Sequence, residues 1–312
     1  MPAPEPPVCD YEGSDYQASF WEQGDREYED RVEAIALQRL LPDSGGLLLE
    51  LGAGAGRNTP RYTGFRRIVL LDFSRSQLKQ AQARLGRSER YIFVAADVYR
   101  LPFIEGLFDA ATMIRVLHHM ADAPKALSQV RDALKPEGAF ILEFANKRNL
   151  KSVLRYWLGR QRWNPFALEP IEFARLNFDF HPRRVQAWLE ELGFTVERRL
   201  TVSHFRARIL KRLIPISFLV FMDSVLQPTG ELWQYTPSVF FRLRGGNGVA
   251  RMVEPDADPS LIFKCPACGH APLAEAQGAL ECGNCGRVWG AADGIFDFRQ
   301  PVTELAGSGL AS

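Results

Sequence analysis

The sequence predicts an α/β protein with a doubly wound, mostly parallel seven-stranded sheet, followed by a small cysteine-bearing C-terminal module. Three observations carry this reading. Short apolar runs alternate with helical patterns between residues 47 and 144, the rhythm of a parallel sheet covered on both faces. A glycine-rich loop closes the first of those runs, and two Cys-x-x-Cys pairs stand near the C-terminus. The 312 residues exceed what one hydrophobic core usually serves, so a second, smaller unit is expected. Apolar residues make up 46% and charged residues 24%, which excludes wholesale disorder and fibrous architectures. A net charge of +1 gives no global signal for nucleic acid or membrane.

Taken in order, residues 1–15 read as a loose tail, with prolines at 2, 4, 6 and 7; Tyr16, Phe20 and Trp21 follow. Ten acidic residues fall within positions 1–33. A helix is expected from about Asp25 to Leu41, with Val32, Ile35, Ala36 and Leu40 on one stripe. Strands are expected at Leu47–Leu51, Arg67–Asp72, Tyr91–Asp97, Phe108–Val116 and Ala139–Phe144. Ser74 to Gln77 has the pattern of a capping box that opens a helix stopped at Gly86. Pro124 opens another, closed by the turn Lys135-Pro136-Glu137-Gly138. Two insertions, 147–180 and 204–237, interrupt the rhythm and are assigned to the substrate side. Between and after them come a helix around Val185–Leu192 and strands at Phe194–Ser203 and Ser238–Arg244. Residues 1–246 are read as the main domain, 247–260 as a linker, 261–300 as the cysteine module and 301–312 as a tail. The longest apolar run, Leu213–Met222, is too short to span a bilayer. With no secretory signal and few cysteines, the reading is a cytoplasmic protein that is not integral to a membrane.

The loop after the first strand reads Gly52-x-Gly54-x-Gly56 with Arg57 at the position where a dinucleotide fingerprint needs glycine. Glycines at a strand end let backbone approach a ligand, and Glu50 within the strand suits a cationic ligand better than a pyrophosphate. Asp72 closes the second strand, where a carboxylate can accept both hydroxyls of a ribose. Asp97 closes the third, placed to accept from an exocyclic amine; the alternative is a helix cap. For Glu50 the alternative is a buried pair with Arg57. Val116-Leu117-His118-His119-Met120 and Leu134-Lys135-Pro136-Glu137-Gly138 complete the set.

Together these motifs resemble class I S-adenosylmethionine-dependent methyltransferases of Rossmann-like fold, over about residues 15–245. The resemblance implies that Gly52 and Gly54 pack against the methionine part of the cofactor and that Glu50 lies beneath its ammonium. It implies ribose binding by Asp72, adenine recognition by Asp97 and the Val98 backbone, and a methionine-end wall from the Arg115 backbone. It names no catalytic residue; His118 and His119 read first as a packed helix start. The place where relatives acting on exocyclic amines carry Asn/Asp-Pro-Pro-aromatic reads Ile114-Arg115-Val116-Leu117. The only cysteine before the C-terminal module is Cys9, in the tail, which disfavours cytosine C5 chemistry.

Cys265, Cys268, Cys282 and Cys285 form two knuckles separated by 13 residues, the spacing of a closed structural Zn²⁺ site. The segment resembles zinc-ribbon proteins that activate certain methyltransferases, so the ribbon is expected to dock on the catalytic domain or bind a partner protein. Residues 147–212 hold fifteen Lys/Arg against six Asp/Glu, with interleaved aromatics. That wall suits a phosphate-bearing acceptor, or is a solvated face neutralised by the acidic N-terminal segment. The reading is methyl transfer to a small or medium-sized organic acceptor at oxygen or carbon; the apolar second insertion either caps the core or forms a lid over an amphiphilic acceptor. The alternatives are an RNA methyltransferase assisted by its own ribbon and a non-catalytic cofactor-binding scaffold.

Overall fold

The computed structural model describes residues 5–10, 12–13, 26–246, 248–254, 256–276 and 278–302. The aromatic stretch Tyr16, Phe20 and Trp21 and residues 303–312 of the expected tail lie outside them. The first helix, α1 (Glu27–Leu40), buries Val32, Ala36 and Leu40 as its spacing requires, and Glu29 and Glu33 with them. Then follow β1 (Gly45–Leu51), β2 (Phe65–Asp72), α2 (Arg75–Leu85), β3 (Tyr91–Ala95), β4 (Phe108–Met113), α3 (Ala123–Ala133) and β5 (Leu134–Ala145). Ser74 caps α2 by accepting from the Gln77 N–H. The expected turn Lys135–Gly138 is a bulge at the start of β5, where pairing jumps from Phe108 with Leu134 to Ala110 with Ala139.

The insertion after β5 folds as α4 (Leu150–Trp157) and a hairpin of β6 (Ile171–Ala174) and β7 (Asn177–Asp179). Then come α5 (Pro182–Glu191), β8 (Thr195–Val202), α6 (Arg208–Leu213), α7 (Ile216–Leu226) and β9 (Ser238–Arg244). Helix α7 closes the sheet face beneath α1: the Tyr28 hydroxyl donates to Asp223 at 2.6 Å, and His204 Nδ1 lies 3.0 Å from the same carboxylate. Leu219 and Val220 are buried there, whereas Phe218 and Phe221 are exposed.

Among the described residues the main sheet has eleven strands, not the expected seven. The seven are present in the order β3-β2-β1-β4-β5-β9-β8, with β9 antiparallel to both neighbours. The other four are β10 (Ala274–Ala276), β11 (Ala279–Glu281), β12 (Val288–Ala292) and β13 (Ile295–Val302), all from the cysteine module. Strand β13 pairs in parallel with β3, matching Ile295 to Phe93, Phe296 to Val94 and Asp297 to Ala95. An open β3 edge would present unpaired N–H and C=O groups, and β13 satisfies them. Phe263 stacks on Phe103 at 5.8 Å and lies 4.8 Å from both Phe296 and Phe298, which fastens the module a second time.

Apolar side chains alternate across β1. Leu47, Leu49 and Leu51 join the layer under α3 and α5, and Leu48 joins the layer under α1, α2 and α7. A strand buried on both faces therefore reads as a continuous apolar run. The described parts of the N-terminal tail and of the linker hydrogen-bond to the main domain. Glu12 accepts from the backbone N–H groups of Arg75 and Ser76, so the described part of the N-terminal tail caps α2. In the linker, the Arg251 N–H donates to Gly106 and the Arg67 guanidinium to the Ala257 carbonyl.

Candidate active site

Strand order reverses between β1 and β4, and loops leaving their C-terminal ends diverge there, the usual place for a ligand in an open α/β sheet. A cavity fills that crevice. Glu50, Gly52, Gly54, Asp72, Val98 and Arg115 all line it, so six of the seven cofactor candidates are brought together. Asp97 does not line it; its carboxylate accepts from the Tyr99 N–H at 2.9 Å and caps a short 3-10 turn, the alternative role.

The glycine loop has a definite geometry. Gly52 has φ +64°, and a Cβ there would come within 2.2 Å of Val116. Gly54 donates its N–H to Asp72 at 2.8 Å, and Ser74 donates to the other carboxylate oxygen at 2.9 Å. Asp72 thus braces the loop from the end of β2. Burial, outweighing these bonds and aided by Asp10 and Glu12, pushes its carboxyl up to about 6.

Glu50 is buried in the cavity wall, with hydrogen bonds from Thr59 (2.6 Å) and Tyr62 (3.2 Å). Thr112 in turn donates to the Tyr62 hydroxyl at 3.1 Å. Burial is the larger effect and pushes the Glu50 carboxyl up to about 7, against these hydroxyls. Arg57 is committed elsewhere: its guanidinium bonds Asp30 and, at 2.8 Å, Glu33.

Glu33 was not singled out by sequence reading, yet it organises this wall. It is fully buried and accepts from Arg115 Nε at 2.7 Å. Burial alone would raise its carboxyl, but the Arg115 and Arg57 guanidiniums hold it down at about 2. Arg115 adopts φ +60°, and its N–H donates to buried Glu143 at 2.8 Å. Side chain and backbone of Arg115 are therefore fixed by two different carboxylates. The available signal was the spacing: Glu29 and Glu33 fall on the α1 face that Val32 and Ala36 bury. Acidic segment and basic insertion also meet through Glu29 and Lys211, 3.4 Å apart.

His119 lines the cavity and His118 lies behind it, with ring centroids 4.0 Å apart. His119 Nδ1 is 3.0 Å from the Leu176 carbonyl, which can only accept, so Nδ1 carries the proton in this contact. Burial lowers the pKa of both rings. Cys9, expected in the loose tail, lines the cavity with Val8; the anchoring of the neighbouring Glu12 on α2 brings the chain there.

The four C-terminal cysteines bring their sulfurs within 4.8 Å of one another. Gly269 (φ +75°) and Gly286 (φ +68°) turn the two knuckles, donating to the carbonyls of Cys265 and Cys282. Four soft thiolates gathered this closely suit tetrahedral zinc. Arg299, in β13, lies 5.9 Å above the ring of Phe73, another cavity residue.

Residues 49–142 match the family described as a methyltransferase domain. That match and the fold are consistent with a cavity for the methyl donor S-adenosylmethionine. O-methyltransferase cnsE of Penicillium expansum is 28% identical over 145 residues, 43% of this chain and 52% of that protein. Demethylmenaquinone methyltransferase of Clavibacter sepedonicus is 27% identical over 165 residues, 52% of this chain and 67% of that protein. The chain thus spans about half of the first relative and two thirds of the second. A chain from the complex of the Haloferax volcanii Trm112 methyltransferase activator with a methyltransferase has a TM-score of 0.53. It is 16% identical, over 74% of this chain and 96% of that one, a likeness of fold. Among the described residues no helix is long and apolar enough to cross a membrane.

The cavity passes a physical test for such a donor. Space at Gly52 tolerates no Cβ, and a buried carboxylate at Glu50 faces neutral hydroxyls, which a cationic amine would satisfy.

Proposed function

We propose that this protein transfers a methyl group from S-adenosylmethionine to a small or medium-sized organic acceptor at oxygen or carbon. The observation that carries the reading is Glu50, a buried carboxylate pushed up to about 7 beside the glycine loop at the sheet's switch point. When bound, the sulfonium cofactor supplies an electrophilic methyl group that carries its own leaving group.

The chain's own residues then bind and align. Glu50 holds the ammonium, while Gly52 and Gly54 let backbone approach the methionine portion. Asp72 accepts from the ribose hydroxyls with the oxygen lone pairs left by Gly54 and Ser74. The Val98 backbone receives the adenine edge, Asp97 braces the turn that carries it, and the Arg115 backbone walls the methionine end. Holding donor and acceptor in line accounts for ~7–11 kcal/mol of barrier reduction. His119, with its Nδ1 proton directed at Leu176, takes the acceptor's proton at Nε2 where the acceptor is protonated. Cys265, Cys268, Cys282 and Cys285 hold a structural Zn²⁺.

A second reading, an RNA acceptor, draws support from the fifteen Lys/Arg of residues 147–212. Methyl-labelled cofactor with a cell extract split into RNA, protein and solvent-extractable fractions separates the two. Label in the solvent fraction is expected; label confined to RNA overturns the small-molecule assignment, and label nowhere overturns catalysis.

A further inference from the structure

Helix α4 is amphipathic in an unusual sense. Its inner face buries Ser152 and Val153, while Leu150, Leu154, Trp157 and Leu158 form a stripe turned to solvent. Trp157 is 70% and Leu158 65% exposed, far beyond what a solvated helix face needs. The stripe continues across the fold: the Leu150 N–H donates to the Tyr235 carbonyl at 2.8 Å, and exposed Leu232 and Trp233 precede Tyr235.

Charge accompanies the stripe. Residues 147–168 contain six cations and no acid. Lys151, Arg155, Arg160 and Arg162 are exposed, and the Arg148 guanidinium sits 4.7 Å over the Tyr235 ring.

An apolar stripe of Leu and Trp flanked by Lys and Arg matches the surface of an interfacial helix. We infer that α4 and the Leu232–Tyr235 segment dock this protein peripherally on an anionic phospholipid bilayer. Aliphatic Leu150, Leu154, Leu158 and Leu232 give RNA no stacking surface, whereas acyl chains reward their burial. A second copy of the chain would bring like charges together, whereas anionic headgroups complement them. Location supports the inference as well. Strand β5 runs parallel to β4, so α4, which follows β5, lies at the sheet edge whose loops wall the cavity. A docked protein would meet an acceptor dissolved in the bilayer at that edge. The inference goes beyond the methyl-transfer reading and stands without it.

The test uses the full chain, without cofactor, in co-sedimentation with vesicles of phosphatidylglycerol and phosphatidylcholine in equal parts, or of phosphatidylcholine alone. Binding to the anionic vesicles that weakens with salt is expected. Trp157→Ser with Leu158→Ser should lower it at least about tenfold. Lys151→Glu with Arg155→Glu should weaken it by about fivefold or more per charge. All four side chains are exposed, so the variants keep the fold, checked by unchanged thermal unfolding. Absent binding to anionic vesicles, or binding untouched by both variants, overturns the inference. So does tRNA binding without vesicle binding, which assigns the patch to RNA. A dimer dispersed by the Trp157 and Leu158 variant, with no vesicle binding, assigns it to a second copy.

Discussion

Replacing Glu50 by glutamine keeps the shape of the side chain and removes its charge, which separates the two consequences of burying a carboxylate here. The carboxyl moves from an ordinary 4.5 to about 7 on folding, chiefly through burial. At ~1.4 kcal/mol per pH unit, that gap corresponds to about 3 kcal/mol of destabilisation once the group is forced to ionise. The direction follows from proton counts. Between pH 4.5 and 7 the folded chain retains a proton at Glu50 that the unfolded chain has released, so stability falls as pH rises. Below this window both states are protonated and the cost vanishes. Glu50→Gln should therefore stabilise the cofactor-free protein by about 1–3 kcal/mol at pH 8 and by almost nothing at pH 4.5. Its cofactor affinity should fall about ten- to a hundredfold, the loss of a charge-assisted hydrogen bond. Urea unfolding at the two pH values and calorimetric titration with cofactor measure both. An equal stability gain at both pH values refutes the charge argument, and unchanged affinity in the folded variant refutes the ammonium assignment.

Gly52→Ala meets a positive φ and the Val116 methyl at once, so a loss of about 1–3 kcal/mol in urea unfolding and weaker cofactor binding are expected. Asp223→Ala strands the buried hydroxyl of Tyr28 and the His204 ring; thermal unfolding should report about 3 kcal/mol lost. Atomic emission should find one zinc per chain, and chelation should loosen β13, seen as faster amide exchange at Phe93, Val94 and Ala95. With a protonated acceptor, His119→Ala should slow turnover about a hundredfold while cofactor affinity stays unchanged. Unchanged turnover would remove His119 from proton transfer.

The amino-acid sequence by itself determined the alternation of strands and helices, the glycine loop, the two cysteine knuckles and six cavity-lining residues. Each is a local pattern: a strand buried on both faces must be apolar throughout, and a tight turn at a strand end must use glycine. The four added strands were not legible, because the pairing of β13 with β3 joins segments about 200 residues apart in the chain. Nor was Glu33, whose meaning depends on two arginines delivered by the loops after β1 and β4. Asp97 shows the reverse limit: a carboxylate at a strand end can face a ligand or cap the next turn, and only packing chooses. Long-range pairing and the partners of buried charges are set by which surfaces meet. That meeting belongs to the tertiary structure.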